Sequence, residues 1–395
     1  MAAVPALAAL IGAVSLSQWA RTLPAVIAGG VTVELGLSEA GLAAATAMVH
    51  LGFAVGQVPS GAALDRVGPR RTASVLLAIA TAGLTLSAVA PGVWSFAFGQ
   101  FLTGLGCSGL FMAGLMVAAQ LLPPDRFGQV AGLMPALSGI GLLASGTPSA
   151  WLIGIAGWRA APAAAAVAGV LCLIAAWRLV PSLRPQHTGQ RGLGAECLDV
   201  LLLAASPMLR APVVLAFVGY PATLALRGLW AGPWLTEVLG FGLVETGNVL
   251  AGLSVVMSLA PALFGWLDRH VRRRAGVMGL AHLAAAASLA WLPLAGGRAA
   301  PDIAAMALVG VLIGSHVLLY PMTREAAPEG GTGKALSAVN LSFFVGLVVL
   351  QPLSGLAARG GGLGAALAVF AVALAAGSAA FVMMSGRRHG PTGTP

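Results

Sequence analysis

The sequence predicts an all-α membrane protein with twelve transmembrane helices in two six-helix bundles. Of its 395 residues, 58% are hydrophobic and only 8% are charged, whereas soluble domains are roughly 25% charged. Apolar runs of about 18 or more residues recur along nearly the whole chain, and each is long enough to cross a bilayer as a helix. This composition excludes a water-soluble enzyme as the main interpretation. It also excludes a nucleic-acid-binding protein, despite a net charge of +9.

The predicted spans are apolar runs separated by charged residues and by Pro and Gly. Their approximate limits are 5–28, 40–63, 72–90, 93–121, 128–150, 158–180, 211–235, 244–267, 275–294, 301–324, 335–357 and 363–384. The widest polar interval follows the sixth span. We therefore predict an N-terminal bundle at 1–180, a partly helical cytoplasmic linker at 181–210, a C-terminal bundle at 211–385 and a short cytoplasmic tail at 386–395.

The basic residues predict the orientation of these spans. If the N-terminus is cytoplasmic, sixteen of the 21 Lys and Arg residues fall on the cytoplasmic side. Three, Arg159, Arg298 and Arg359, fall on the opposite side. Such an asymmetry follows the positive-inside rule. We therefore expect a multi-pass protein of the bacterial inner membrane with both termini in the cytoplasm.

The two remaining basic residues lie inside spans, Arg21 in the first and Arg227 in the seventh. All twelve carboxylates lie at or near a membrane face, so no buried acid is available to either arginine. An arginine at the bilayer centre costs about 2.5–3.5 kcal/mol and must face the bundle interior. Because its planar fork binds a carboxylate or oxyanion bidentately, we predict that both hold an anionic substrate in a shared central site. The alternative is that they donate to backbone carbonyls at broken helix segments.

Seven further residues of the spans are candidates for contact with that substrate. They are Gln18, Tyr220, Trp230, Trp234, His316, Tyr320 and Asn340. Helical spacing predicts one shared face for Arg227, Trp230 and Trp234, and it puts His316 one turn before Tyr320. The alternative for a membrane tryptophan is packing or anchoring at the interface, and for a membrane histidine it is a hydrogen bond between helices.

The two halves of the chain repeat a charged pattern. GAALDRVGPRR (61–71) follows the second span and FGWLDRHVRRR (264–274) follows the eighth. In both segments Leu-Asp-Arg precedes a basic cluster. Internal repeats of this kind are typical of secondary transporters, whose substrate site lies near the midplane at the repeat interface.

The first of these segments resembles the loop signature of the major facilitator superfamily, GxxxDRxGxRR. The matching residues are Gly61, Asp65, Arg66, Gly68, Arg70 and Arg71, with Asp268 and Arg269 at the corresponding positions of the second half. GLWAGPWL (228–235) and AVNLSFFVGLVVLQPLSGL (338–356) resemble a bacterial branch grouped with nitrate/nitrite porters. The resemblance implies the major facilitator fold and secondary active transport by alternating access.

We therefore predict a transporter of a small anionic solute, either an organic carboxylate or an inorganic oxyanion. Two alternatives stay open: an efflux transporter for drugs or metabolites with the same fold, and a non-transporting membrane sensor. We expect no enzymatic activity, no cofactor, no metal site and no nucleic-acid partner. The expected partners are the solute and the lipid bilayer, and the expected state is a monomer.

Overall fold

The computed structural model describes residues 3–37, 39–183, 193–271 and 273–386, and these ranges are almost entirely helical. Eleven helical segments of the described ranges are long and apolar enough to cross a membrane. The last of them, Thr332–Ser385, consists of two helices that meet at Gly362, whose φ of +68° is outside the range of a right-handed helix. The segment therefore supplies two crossings, and the predicted all-α fold with twelve spans is confirmed.

Contacts between residues divide the chain into two units. Unit 1 comprises Met1–Phe127, Leu137–Leu202 and Ala327–Ala338, and unit 2 comprises Gly128–Ala136, Leu203–Ala326 and Val339–Pro395. Part of the predicted linker, at 184–192, and the predicted tail after residue 386 lie outside the described residues.

Unit 1 contains the first ten helices, except for Gly128–Ala136 of the sixth and the last three residues of the tenth. They are α1 (Ala3–Leu35), α2 (Glu39–Val67), α3 (Pro69–Ala88), α4 (Val93–Cys107), α5 (Leu110–Leu121), α6 (Pro124–Leu137), α7 (Ile140–Ser145), α8 (Thr147–Ala156), α9 (Ala160–Leu179) and α10 (Leu193–Ala205). The start of the last helix of the chain also belongs to this unit.

Glycines bring helices α2 and α4 of unit 1 into backbone contact. A Cβ atom added to Gly104 would lie 1.8 Å from the carbonyl oxygen of Val49, and one added to Gly52 would lie 2.1 Å from that of Phe101. In lipid, helices gain little from burying apolar side chains against each other, so they associate through close packing of small residues. Gly52 and Gly104 are therefore sites where the fold requires the absence of a side chain.

Unit 2 contains the remaining helices. They are α11 (Arg210–Ala225), α12 (Ala231–Pro233), α13 (Leu243–Leu267), α14 (Arg274–Ala295), α15 (Ala299–Ile313), α16 (Leu319–Ala326) and α17 (Thr332–Gly386). Two π-helical segments, Leu226–Trp230 and Trp234–Val238, flank α12, so the seventh span is one continuous helix with two widened turns. Between those turns Pro233 lacks the N–H that an α-helix needs at that position.

One of the three arginines predicted on the outer side, Arg159, is held by a polar cluster of unit 1. Its guanidinium bonds to the Glu34 carboxylate at 2.8 Å and to the carbonyl oxygens of Ala88 and Ala90 at 3.0 and 2.9 Å. The indole nitrogen of Trp158 donates to the second Glu34 oxygen at 2.6 Å. The cluster joins the end of α1 to the loops after α3 and before α9. Arg159 therefore has a structural role, whichever side of the membrane it lies on.

We expect Gly104→Ala to destabilise the protein by about 1–3 kcal/mol, because the new methyl group meets backbone that cannot move aside. The matched control is Gly154→Ala, since a Cβ atom at Gly154 would have no atom within 4 Å. Thermal unfolding of both variants in detergent measures the effect. Equal unfolding temperatures for the two variants would show that α2 and α4 are not in backbone contact.

Glu34 predicts a pH-dependent contribution to stability. Hydrogen bonds from Arg159 and Trp158 lower the pKa of Glu34 below its ordinary value of 4.5. The contribution is therefore fully present above that value and is lost as the pH falls through the lower, folded-state pKa. The difference in unfolding temperature between the wild type and Glu34→Gln should be largest near neutral pH and should vanish in acid. A difference that does not change with pH would contradict the ion pair.

Candidate functional site

In unit 1, Arg21 is partly buried and is contacted by uncharged groups. Its Nε donates to the carbonyl oxygen of Ser17 at 3.3 Å, and a terminal nitrogen donates to the side-chain oxygen of Gln18. The guanidinium carbon lies 4.8 Å from the centre of the Phe53 ring on α2, which is a cation–π geometry. Within the described part of the chain, no carboxylate oxygen lies within 4.0 Å of this guanidinium.

The Arg21 guanidinium therefore keeps hydrogen-bonding capacity. It has five N–H donors, and the described residues accept from only two of them. Gln18 and Arg21, which the sequence proposed as solute contacts, are brought together by their spacing of three residues on α1. Phe53 was missed because nothing in its apolar surroundings distinguishes it from a packing residue.

In unit 2, an aromatic cluster forms from three different spans. Tyr220 of α11, His316 and Phe343 of α17 have mutual ring-centroid distances of 5.4, 5.2 and 5.6 Å. The Tyr320 ring lies 6.4 Å from that of Phe343, and its hydroxyl donates to the Asn340 side chain at 3.4 Å. Four of the predicted residues thus meet. The fifth member, Phe343, could have been suspected only from its position one helical turn after Asn340.

The aromatic cluster offers polar atoms as well as ring faces. The Nδ1 of His316 lies 2.8 Å from the carbonyl oxygen of Ile313. Because a carbonyl can only accept, the proton is assigned to Nδ1, which leaves Nε2 as an acceptor in the neutral ring and a donor in the charged one. The Tyr220 hydroxyl makes no hydrogen bond to the residues that the structure describes. The cluster therefore combines aromatic rings with a histidine nitrogen and a tyrosine hydroxyl that can form further hydrogen bonds.

Arg227 lies apart from this cluster, on the first π-helical segment. Its side chain is exposed, and its Nε donates to the hydroxyl of Ser254 on α13 at 2.8 Å. No carboxylate oxygen of the described ranges lies within 4.0 Å of it. The partner of Arg227 is thus a hydroxyl group rather than the backbone carbonyl that the sequence alternative suggested.

The predicted common face of Arg227, Trp230 and Trp234 is wrong. Both tryptophans are buried, at 8% and 5% exposure, whereas Arg227 is exposed. The π-helical segment that contains Arg227 and Trp230 changes the angular spacing of residues, so α-helical spacing no longer applies. The indole of Trp230 donates to Ser354 at 3.1 Å and that of Trp234 to Asp302 at 2.9 Å. Each indole N–H therefore has a partner within unit 2.

Asp302 is a buried carboxylate whose role the sequence did not reveal. It lies in the first turn of α15 with no exposed surface. It accepts from the indole of Trp234, from the backbone N–H of Gly297 at 2.8 Å and from the indole of Trp291 at 3.4 Å. No Lys or Arg of the described ranges bonds to it. A group that the sequence assigns to a membrane face thus connects the C-terminal part of the seventh span to α14 and α15.

The loop-signature residue Asp65 caps a helix in unit 1. It is fully buried, and its two oxygens accept from the backbone N–H groups of Gly333 and Lys334 at 2.7 and 2.8 Å, at the start of α17. A carboxylate is favourable there because the first N–H groups of a helix have no partner inside it and carry partial positive charge. The Lys334 ammonium pairs with Asp199 of α10 at 3.2 Å.

The other glycines and arginines of the signature occupy distinct positions in unit 1. A Cβ atom on Gly61 would lie 2.6 Å from that of Ser337, which explains the glycine. Gly68 joins α2 to α3 with a φ of +83°. The Arg70 guanidinium lies 4.5 Å from the centre of the Trp177 ring, Arg71 is exposed, and Arg66 is partly buried.

In unit 2, the corresponding Asp268 uses different partners. It is 2% exposed and pairs with Arg274, which also bonds to Glu325. A Cβ atom on Gly128 would lie 2.0 Å from an Asp268 oxygen, so α6 passes close to this carboxylate. Arg269 instead lies over the Trp266 ring at 5.4 Å. Among the residues that the structure describes, no group of three or more His, Cys, Asp or Glu side chains could hold a metal ion.

Comparison with known proteins assigns a family to this fold. A sequence model described as Major Facilitator Superfamily matches residues 8–351. The inner membrane transport protein YdhP of Escherichia coli is 29% identical over 278 residues, which cover 68% of this chain and 67% of YdhP. The niacin transporter NiaP of Acinetobacter baylyi is 25% identical over 255 residues, covering 63% and 58% of the two chains.

Solved structures agree at the level of the fold. The fucose:proton symporter FucP of Escherichia coli superposes with a TM-score of 0.77 at 14% identity, over 99% of this chain and 100% of FucP. The human organic anion transporter MFSD10 gives a TM-score of 0.72 at 13% identity, over 95% and 99%. The family match over most of the chain, the twelve spans and these superpositions lead to one conclusion: the chain belongs to the major facilitator superfamily and is a multi-pass inner-membrane transporter.

Proposed function

We propose that this transporter moves a small organic carboxylate with a flat ring across the membrane by alternating access. The observation that carries the proposal is the Arg21 guanidinium, which lies within a membrane-spanning helix and has only uncharged partners among the described residues. A permanent cation in that position is stabilised when an anion enters. A carboxylate matches the two parallel N–H groups of a guanidinium.

The aromatic cluster of unit 2 favours an organic anion over an inorganic oxyanion. Tyr220, His316 and Phe343 present ring faces and edges, and an aromatic pair contributes about 0.5–1.5 kcal/mol beyond the area it buries. Nitrate has no comparable ring, so it would leave this surface unused. The placement near the nitrate/nitrite porters accordingly stays a prediction.

The relative NiaP supports the same class of solute, since niacin is an aromatic carboxylic acid. YdhP is described only as an inner membrane transport protein, and this description does not favour one solute over another.

We also propose that both termini are cytoplasmic, because sixteen of the 21 basic residues then lie on that side.

Arg21→Gln should reduce uptake of radiolabelled nicotinate into proteoliposomes by about tenfold or more, because a hydrogen bond to a charged group is lost. Arg21→Lys should retain part of the uptake, since it keeps the charge but not the fork. The matched control is the exposed Arg178→Gln, which removes the same charge elsewhere in unit 1. Uptake at wild-type rates by Arg21→Gln would refute the assignment. Failure of the wild type to transport nicotinate, benzoate or nitrate would refute the anionic solute.

Phe343→Leu should separate aromatic from aliphatic solutes. Removing the ring from the cluster is expected to raise the KM for nicotinate by several-fold, because ring contacts of this kind contribute about 1 kcal/mol. The KM for an aliphatic acid such as propionate should stay within about twofold and serves as the internal control for folding. An equal change in both KM values would mean that Phe343 is a packing residue and that the cluster does not select a ring.

A further inference from the structure

A basic cavity of about 430 Å³ lies in unit 1, remote in sequence from the residues proposed to contact the solute. It is lined by Val67, Gly68, Arg70, Arg71, Trp177, Ser182 and Leu183. The lining comes from the end of α2, the start of α3 and the end of α9 together with the residues after it. Because all three helices are membrane-spanning candidates, the cavity lies at a membrane face, the one that we propose to be cytoplasmic.

The start of α3, whose residues Arg70 and Arg71 line the cavity, has uncapped backbone N–H groups. Gly68 precedes the helix and has no side chain to cap it, and Pro69 supplies no N–H. The backbone N–H groups of Arg70 and Arg71 therefore have no acceptor among the residues that the structure describes. The first turn of a helix binds anions through such N–H groups and through its partial positive charge.

Two guanidinium groups add full charges to these donors. Arg70 stacks on the Trp177 ring at 4.5 Å, and its buried Nε has no hydrogen-bond acceptor in the described ranges. Arg71 lines the same cavity and is exposed. Among the described residues that line the cavity, none is acidic. The lining is thus suited to an anion, because it supplies positive charge and no carboxylate that would compete with one.

We propose that this cavity binds the phosphate of an anionic phospholipid headgroup. The cavity falls in the volume range of small-molecule sites, so a phosphate ion alone would leave most of it empty. Trp177, which lines the cavity, is 50% exposed and offers apolar surface to the glycerol and the upper acyl chains. Tryptophans are enriched at the depth of the headgroups, and basic pockets between membrane helices bind anionic headgroups.

Thermal unfolding of the full, delipidated protein in detergent tests the proposal with three probes. They are dioctanoyl phosphatidylglycerol, dioctanoyl phosphatidylcholine and inorganic phosphate. The phosphatidylglycerol should raise the unfolding temperature in a saturable way, as binding to the folded state requires. The other two probes should give little or no rise at equal concentration. A rise with inorganic phosphate as large as that with phosphatidylglycerol would overturn the lipid assignment in favour of a free-phosphate site.

Three variants locate the response. Arg70→Gln should weaken the apparent Kd for phosphatidylglycerol by about tenfold, whereas the control Arg178→Gln, with the same loss of charge outside the lining, should not change it. Ser182→Phe, at an exposed residue after α9, should abolish the response by filling the cavity, and it does not disturb a helix. Wild-type affinity in both Arg70→Gln and Ser182→Phe would overturn the proposal.

Discussion

The structure depends on one constraint: inside a bilayer no water is available to hydrogen-bond a polar group. A buried charge must therefore find its partners within the protein. Asp65 finds two backbone N–H groups at the start of α17, Asp268 finds Arg274, and Asp302 finds two indoles and one backbone N–H. Three carboxylates thus meet the same requirement in three different ways, and two of them, Asp65 and Asp302, join segments distant in the sequence. Arg21 differs from them because its partners among the described residues are neutral groups.

The hydrogen-bond partners of these charged groups distinguish a structural role from a role in binding. A buried carboxylate that accepts hydrogen bonds from the protein needs no further partner, and its removal chiefly affects stability. A guanidinium inside a membrane-spanning helix that has unused N–H donors is stabilised further when an anion binds to it. We propose a second anion-binding site at the membrane face, where the Arg70 guanidinium stacks on Trp177 and the start of α3 is uncapped. In both proposed sites, the described residues supply positive charge and no acidic side chain that pairs with it.

Much of this architecture could be predicted from the sequence, because the apolar bilayer core requires long apolar spans and keeps most charged residues near its two faces. The gap predicted between 357 and 363 contains Gly362, where the last two spans meet. Tyr220, His316, Tyr320 and Asn340 are conspicuous in the sequence as polar residues in apolar spans, and in the structure they pack together with Phe343. Their contact with a solute stays a prediction. Two features could not be predicted from the sequence. The π-helical turns change the angular spacing of residues, so a helix face assigned at 3.6 residues per turn is not valid there. Asp302 has the sequence pattern of a residue at a membrane face, and only the structure shows that it accepts hydrogen bonds from indoles.

The contact between α2 and α4 has a mechanical consequence. Where Gly52 and Gly104 bring two backbones together, neither helix can roll about its axis without driving a side chain into a peptide group of the other. The pair therefore moves as one rigid piece. Any rearrangement that opens or closes a path through the membrane has to be accommodated at other joints of the molecule, such as the widened turns on either side of α12.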